Sequence, residues 1–241
     1  MSIADKLTTV AENVPKIYEA GSKFLDNYLA YQYDCSYIFA GRAWYSETFK
    51  PTKDIRPTYA ATRMFIAFDY AKRSGTPLDL VKRLDDLGVV LDFSKCPNTN
   101  EMFNSAYISH IGVIDLTKST TVNTSTFGSA WIETIDELKV TENTKFSSTF
   151  SGATALENIT ITGTIGQNGF SVAQSTKLSP ESITSIINAL STTTSGLTVT
   201  LSKTAVNNAF GINVDDPTTW AEGTEYYELR HSRDNWTITY V

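Results

Sequence analysis

A motif built around phenylalanine recurs in the middle of the chain at nearly constant spacing. In each copy a phenylalanine is followed by small residues and then by spaced aliphatic residues, as in residues 103–111, 127–135 and 150–159. The three phenylalanines lie 24 and 23 positions apart (127−103 and 150−127). A period of this size is typical of solenoids, because one short unit cannot bury its apolar face alone and must stack on its neighbours. The spacing therefore predicts an α/β repeat solenoid, in which the repeated residues Phe127 and Ile135 are buried.

Short runs of alternating apolar and polar residues follow the motif copies. Such runs are strand-like, and parallel strands stack about 4.8 Å apart with every second side chain on the same face. The runs are residues 91–94, 114–117, 138–141, 159–162, 197–202 and 236–241. Stacked in parallel, they direct aliphatic residues into a core and leave a polar, hydroxyl-rich row outside. This row is the predicted ligand-binding surface, formed by Asp92, Asp115, Lys139, Thr141, Thr160 and Thr162.

The residue types in this row favour a glycan or peptide ligand. Short Ser and Thr side chains lose little entropy on contact and can both donate and accept hydrogen bonds. In the predicted stack Asp92 and Asp115 are neighbours about 5 Å apart, close to the carboxylate spacing of a retaining glycosidase. A depolymerase is therefore one alternative, although Lys139 on the next strand is expected to neutralise Asp115.

The first 27 residues carry apolar residues at alternating steps of four and three. The first five members of this stripe are Ile3, Leu7, Val10, Val14 and Ile17. This spacing is the heptad pattern of a coiled coil, and it predicts an N-terminal helical segment that mediates homo-oligomerisation, with a trimer favoured. Pro15 interrupts the pattern, so two shorter helices are an alternative. Another alternative is a single amphipathic helix that lies on the body of the same chain.

The remaining chain divides into a solenoid and two caps. Residues 28–75 are rich in aromatic side chains and form a predicted N-terminal cap, with Met64 and Phe65 as a candidate first repeat. Trp44 and Tyr45 in this cap are the alternative contact site, because such residues concentrate at interfaces. Residues 76–211 are the predicted solenoid, and residues 212–241 form a C-terminal cap with a closing strand.

Two short helices are expected within the predicted solenoid. One covers residues 78–87, begins near Thr76 and Pro77, and has Leu80, Leu84 and Leu87 on one face. The other begins with Ser179 as N-cap and has Pro180 in its first position.

Composition narrows the range of functions. A net charge of −6 and a pI near 5.0 argue against nucleic-acid binding, and no apolar run is long enough to predict membrane insertion. The start of the chain lacks the apolar core of a secretory signal, and Cys35 and Cys96 are expected to be reduced. The two histidines, His110 and His231, form no catalytic or metal-binding motif, so we expect neither an enzyme nor a cofactor.

The motif copies resemble the BspA-like bacterial leucine-rich repeat. That repeat opens with Met-Phe and ends in an Ile-Asp-Leu-Ser-like run, which Met102-Phe103 and "GVIDLT" match closely. Longer strings are similar to tail or minor structural proteins from phages and prophages of gut Firmicutes, among them "ADKLTTVAENVPKIYEAG", "FKPTKDIRPT", "ALENITITGTIG" and "STKLSPESITSIINALS".

This resemblance implies a leucine-rich-repeat-like stack of parallel strands in a non-enzymatic virion protein. Such a protein is found in the virion, and in the host cytoplasm before assembly. Its expected partners are other virion proteins and a host cell-surface glycan or protein. A bacterial surface adhesin built from the same repeats is the other alternative.

Overall fold

The computed structural model describes residues 34–40, 49–69 and 75–241. Within these ranges the chain forms a mixed α/β structure with parallel sheets and four α-helices. The strands are β1 (Leu78–Asp79), β2 (Ile108–Asp115), β3 (Val122–Thr124), β4 (Thr134–Val140), β5 (Lys145–Ser147), β6 (Asn158–Gly163), β7 (Leu197–Leu201) and β8 (Trp236–Tyr240). The helices are α1 (Leu80–Leu87), α2 (Pro180–Asn188), α3 (Lys203–Phe210) and α4 (Glu225–His231), with a short 3-10 helix at Pro217–Thr219. The predicted α/β class is confirmed.

The strands of the described ranges form three parallel sheets. The largest has the order β1-β2-β4-β6, and the other two are the pairs β3-β5 and β7-β8. In the largest sheet, Ile111 is in register with Ile135, which is in register with Ile159. A second row joins Ile114, Leu138 and Ile161, and both rows are buried. Two residues separate Ile135 from Leu138 in β4, whereas one residue separates Ile159 from Ile161 in β6. A bulge in β4 therefore lies between the two rows.

A column of stacked phenylalanines runs through the core. Phe127 lies between Phe103 and Phe150, with ring centroids 5.9 and 5.0 Å away. The column, which we call the phenyl column, consists of Phe39, Phe65, Phe103, Phe127, Phe150 and Phe170. Phe127 is fully buried and Ile135 is 1% exposed, which confirms their predicted burial.

The backbone around the phenyl column has the same local conformation in successive motif copies. The residue two positions before the phenylalanine has a positive φ in five cases: Tyr37, Arg63, Glu101, Ser125 and Ser148, with values from 48° to 61°. Backbone hydrogen bonds join one copy to the next, as from Phe103 N–H to Thr126 O (2.8 Å) and from Phe127 N–H to Thr149 O (2.9 Å). Each copy therefore supports its neighbour through both backbone and side chains.

Helix α1 begins later than the sequence predicts. Leu78 and Asp79 form β1 through pairing with β2, so Asp79 becomes the N-cap, and its carboxylate accepts from Lys82 N–H at 2.9 Å. Leu80 and Leu84 are buried as expected, but Leu87 is 37% exposed because it lies at the last position of the helix. In α2 the predicted N-cap Ser179 and the first-turn Pro180 are confirmed.

Two predicted strand pairings are wrong. Leu91 forms an isolated parallel bridge with Ile55, while β2 is hydrogen-bonded to β1 and β4, so residues 91–94 do not pair with residues 114–117. The cause is α1, which is inserted directly after β1. The predicted pairing of residues 159–162 with residues 197–202 is also wrong, because β6 pairs with β4 and β7 belongs to a separate sheet. The predicted pairing of the last two runs, in β7 and β8, is confirmed. The predicted N-terminal helical segment, with Ile3, Leu7, Val10, Val14 and Ile17, lies outside the described residues, as do Trp44 and Tyr45.

Candidate functional site

The solvent-facing side of the four-stranded sheet, here called the sheet face, carries four of the predicted site residues, and three of them lie in one register row. Asp115 on β2 is in register with Lys139 on β4, and Lys139 is in register with Thr162 on β6. These three alternate with buried neighbours such as Ile114, Leu138 and Ile161. The alternation places a carboxylate, an ammonium group and a hydroxyl side by side on neighbouring strands.

The expected ion pair between Lys139 and Asp115 is replaced by local contacts. Lys139 Nζ lies 3.4 Å from a carboxylate oxygen of Glu137, two positions earlier on the same strand. Asp115 accepts hydrogen bonds from the backbone N–H and hydroxyl of Thr117, at 2.8 and 2.6 Å. Asp115 therefore caps the end of β2, and the charge of Lys139 is compensated within β4.

The two other predicted threonines differ in their surroundings. Thr160 is exposed on β6 between the buried Ile159 and Ile161, so it belongs to the sheet face. Thr141 follows the end of β4, where its backbone N–H donates to Thr144 Oγ1 at 2.9 Å in a turn. Thr160 is available to a ligand, whereas Thr141 lies at the margin of the surface.

Asp92 does not join the sheet face. Its carboxylate forms an ion pair with Arg56 at 3.0 Å and accepts from Ser94 N–H at 2.9 Å. Burial would raise the pKa of Asp92, but the hydrogen bonds from Ser94 and the charge of Arg56 outweigh it, so the pKa is lowered. Asp92 and Asp115 are therefore not partners on adjacent strands, and the glycosidase-like carboxylate pair predicted from their register is not formed.

A cluster that the sequence interpretation missed lies at the other end of the sheet face. His110 on β2 lies between two carboxylates, with Nδ1 3.3 Å from Asp79 Oδ1 and Nε2 2.8 Å from Asp136 Oδ1. The imidazole is 29% exposed. Only the doubly protonated imidazolium can donate from both nitrogens at once, so this geometry fits the charged form.

The electrostatics of the cluster agree with this protonation state. Partial burial would lower the pKa of His110, but the hydrogen bond and charge of Asp136, together with the charge of Asp79, outweigh it. The pKa of His110 is therefore raised above its ordinary value. The signal in the sequence was weak because Asp79, His110 and Asp136 are 31 and 26 positions apart (110−79 and 136−110).

An exposed tryptophan lies beside the start of β4. Trp131 is 38% exposed, and its indole N–H donates to Glu133 Oε1 at 3.1 Å. Its ring packs against the buried Tyr107, with centroids 5.9 Å apart. Tryptophan offers a large, rigid contact area, so Trp131 is an exposed aromatic side chain that a partner could contact beside the start of β4.

A small apolar groove lies between α1 and β2. It has a volume of about 220 Å³ and is lined by residues 80, 81, 84 and 85 of α1, residues 89–91, and residues 111–114 of β2. Val90 and Val113 are the most exposed apolar side chains of its lining. The groove lies where the chain leaves β1 and enters α1, beyond the two residue pairs that join β1 to β2.

Comparisons with known proteins give no assignment of this site. The chain matches no known protein family, no curated protein and no solved structure. Among residues 34–40, 49–69 and 75–241, no three or more His, Cys, Asp or Glu side chains are grouped to hold a metal ion. None of the helices in these ranges has the length and apolar character that crossing a bilayer requires.

Proposed function

We propose that the protein is a non-enzymatic component of a phage virion, of the tail or fibre type, that presents a leucine-rich-repeat solenoid for adhesion or host recognition. The observation that carries the proposal is the phenyl column with its backbone hydrogen bonds between successive motif copies. Stacking of this kind makes a rigid body with one sheet face in solvent, which repeat proteins commonly use to bind partners.

The assignment to a virion rests on the sequence resemblance. The strings that resemble phage tail and minor structural proteins extend from the first residues to the region of α3. In this proposal the protein is made in the host cytoplasm and then incorporated into the virion beside other virion proteins. Immunogold imaging of intact virions with an antibody against this chain tests the location, and unlabelled virions from a producing host would reject it.

The proposed ligand-binding surface is the sheet face around Lys139, Thr160 and Thr162. Its side chains lie on the paired parallel strands β4 and β6, whose backbone is already ordered, so little conformational entropy is lost when a glycan or peptide binds. The hydroxyls can donate and accept, and Lys139 and Asp115 supply charges of both signs within one row.

Two substitutions on the sheet face test this role. Lys139→Glu reverses a charge and Thr160→Trp blocks the surface, and each should abolish binding to host cells while the melting temperature changes little. The matched controls are Lys177→Glu and Thr237→Trp. Lys177 is exposed in the segment that joins β6 to α2, and Thr237 is exposed in β8. If the sheet-face variants bind normally and a Trp44 or Tyr45 variant does not, the aromatic region is the contact site.

The proposal includes a homotrimer held by the N-terminal heptad stripe. Leu7→Glu in the full chain places a charge in the apolar seam, and it should lower the molar mass seen by light scattering from trimer to monomer. A wild-type chain that is already monomeric at micromolar concentration would reject this part of the proposal.

A further inference from the structure

The histidine cluster on the sheet face is linked to the start of α1 through a single oxygen atom. Asp79 Oδ1 accepts from Lys82 N–H at 2.9 Å, which caps α1, and the same oxygen lies 3.3 Å from His110 Nδ1. On the other side of the imidazole, Asp136 holds Nε2 at 2.8 Å. His110 therefore connects the cap of α1 to both β2 and β4.

Beyond this cluster, α1 is attached through the buried side chains of Leu80 and Leu84 and through a hydrogen bond from Arg83 Nη1 to Phe49 O (2.8 Å), while the backbone pairing at its start is short. β1 has only two residues, and its pairing with β2 is limited to Leu78 with Ile108 and Asp79 with His110. A helix of eight residues is not stable alone in water, so α1 depends on its attachments. Val81 of α1 lies over Gly112 of β2, where an added Cβ would come within 3.3 Å of the Val81 side chain.

The protonation state of His110 decides whether this attachment is favourable. As the imidazolium it donates to both carboxylates and offsets part of their charge. A neutral imidazole has one N–H, and if that N–H stays with the closer Asp136, the lone pair of Nδ1 faces the carboxylate of Asp79. The attraction at Asp79 then becomes a repulsion, at the oxygen that also caps α1.

The lysines near the cluster do not supply the positive charge that His110 loses when it is deprotonated. On α1, Lys82 is the cation closest in sequence to Asp79, and its ammonium group is bound to Asp86. On β4, Glu137 is paired with Lys139 at the opposite end of the sheet face. The partners from β1 and β4 that face the imidazole are thus both carboxylates, Asp79 and Asp136.

We propose that His110 is a proton-controlled latch for α1. As the imidazolium it holds the start of α1 against β2, and when it loses its proton it releases α1 and opens the apolar groove between them. Because α1 forms one wall of the groove, its release exposes the buried side chains of Leu80 and Leu84. The latch does not depend on the identity of the ligand or on the virion assignment.

Hydrogen exchange of the full chain tests the latch. Backbone exchange of α1, corrected for intrinsic rates, is measured by mass spectrometry from about pH 5.5 to pH 9, a range that brackets the ordinary pKa of histidine. Exchange at the imidazole carbon in the same samples reports the titration of His110 and of His231 separately. Helix α2, whose N-cap is Ser179, serves as the internal reference.

Protection of α1 should fall as the pH rises through the midpoint of His110, while that of α2 stays constant. The protection factor of α1 should fall by about tenfold for each pH unit between the titration midpoint of an unfolded histidine and the higher midpoint of His110. His110→Gln should remove the pH dependence, and His231→Gln should leave it unchanged.

Three results would overturn the proposal: constant α1 protection across the pH range, pH dependence that persists in His110→Gln, or a His110 midpoint at or below the ordinary value. If His110→Gln does not fold, Asp136→Asn decides the question. Asp136→Asn keeps the imidazole but removes the charge of its nearer partner. The pH at which α1 loses half of its pH-dependent protection must therefore fall. If that pH is unchanged, the latch is rejected.

Discussion

The phenyl ring of Phe65 lies flat against that of Phe103, with centroids 5.0 Å apart and planes at 6°. These residues are 38 positions apart (103−65), whereas the next two intervals in the column are 24 and 23. The additional residues contain β1 and α1, and they leave the phenyl column continuous. Helix α1 therefore lies, in sequence, between two phenylalanines that are adjacent in the column, and both the apolar groove and the His110 cluster lie where it leaves the sheet.

Phe127 should be among the most sensitive positions in the core. Phe127→Ala removes the ring that fills the space between Phe103 and Phe150, so the free energy of unfolding should fall by about 3–5 kcal/mol. Urea titration followed by circular dichroism measures the loss. The control is Val113→Ala, at a side chain that is 45% exposed, where a change within about 0.5 kcal/mol is expected. A loss below about 1 kcal/mol for Phe127→Ala would mean that the column does not support the core.

Asn123 should tolerate no charge. Its fully buried side chain accepts from Thr99 Oγ1 at 2.6 Å and donates from Nδ2 to Lys145 O at 3.0 Å. Asn123→Asp places a carboxylate oxygen against that carbonyl, so we expect a loss of about 3 kcal/mol or more at pH 7. The folded state then favours the protonated acid. The difference from wild type should therefore shrink as the pH falls toward about 4, the ordinary pKa of aspartate.

Urea titrations of wild type and Asn123→Asp at several pH values measure this difference. Asn143→Asp, at an exposed position, is the matched control and should show little loss at any pH. A pH-independent loss in Asn123→Asp would show that size or shape, rather than charge, is responsible.

The features that depend on short sequence patterns were predictable. The α/β class, the burial of Phe127 and Ile135, and the start of α2 at Ser179 and Pro180 each follow from spacing or from a capping signal. Helix α3 was missed although Ser202 caps its start and Gly211 follows its end with φ 63°. Both capping signals are present in the sequence, but Ser202 also ends the alternating run of residues 197–202, which indicated only a strand.

The features that depend on pairing between distant segments were not predictable. No local signal separates Leu78 and Asp79 from α1, and only their pairing with β2 makes them a strand. The same insertion moves Asp92 away from Asp115 and toward Arg56. The register of three strands is needed to bring Asp79 and Asp136 to His110, and that register includes an irregularity between Leu78 and Asp79 that alternation alone does not reveal.

Gly163 should not accept a side chain. Its φ is +98°, and it is paired with Val140 of the neighbouring strand β4. A Cβ built on Gly163 would lie 2.0 Å from the carbonyl oxygen of Val140. Gly163→Ala combines an unfavourable backbone conformation with a clash against backbone, so we expect a loss of about 3 kcal/mol or more. Gly196 also has a positive φ, +73°, but has open space around it, and Gly196→Ala should cost only about 1 kcal/mol. Equal losses in urea titration would contradict the close approach of β6 to β4.

Cys35 and Cys96 should be unreactive in the folded protein. Both thiols are fully buried, and burial, with smaller contributions from the charges of Cys96 and Asp34, raises the pKa of Cys35 to about 12. Burial raises the pKa of Cys96 to about 11, although hydrogen bonds partly oppose it. The thiolate is the reactive form, and its fraction falls roughly tenfold for each unit of pKa, so labelling by a thiol-specific disulfide reagent at pH 8 should be at least about 100-fold slower than in an unfolded chain. In guanidinium chloride both cysteines should react at the rate of a free thiol, which provides the control. Rapid labelling of either thiol in the native protein would show that the segment around Cys35 or Cys96 opens readily.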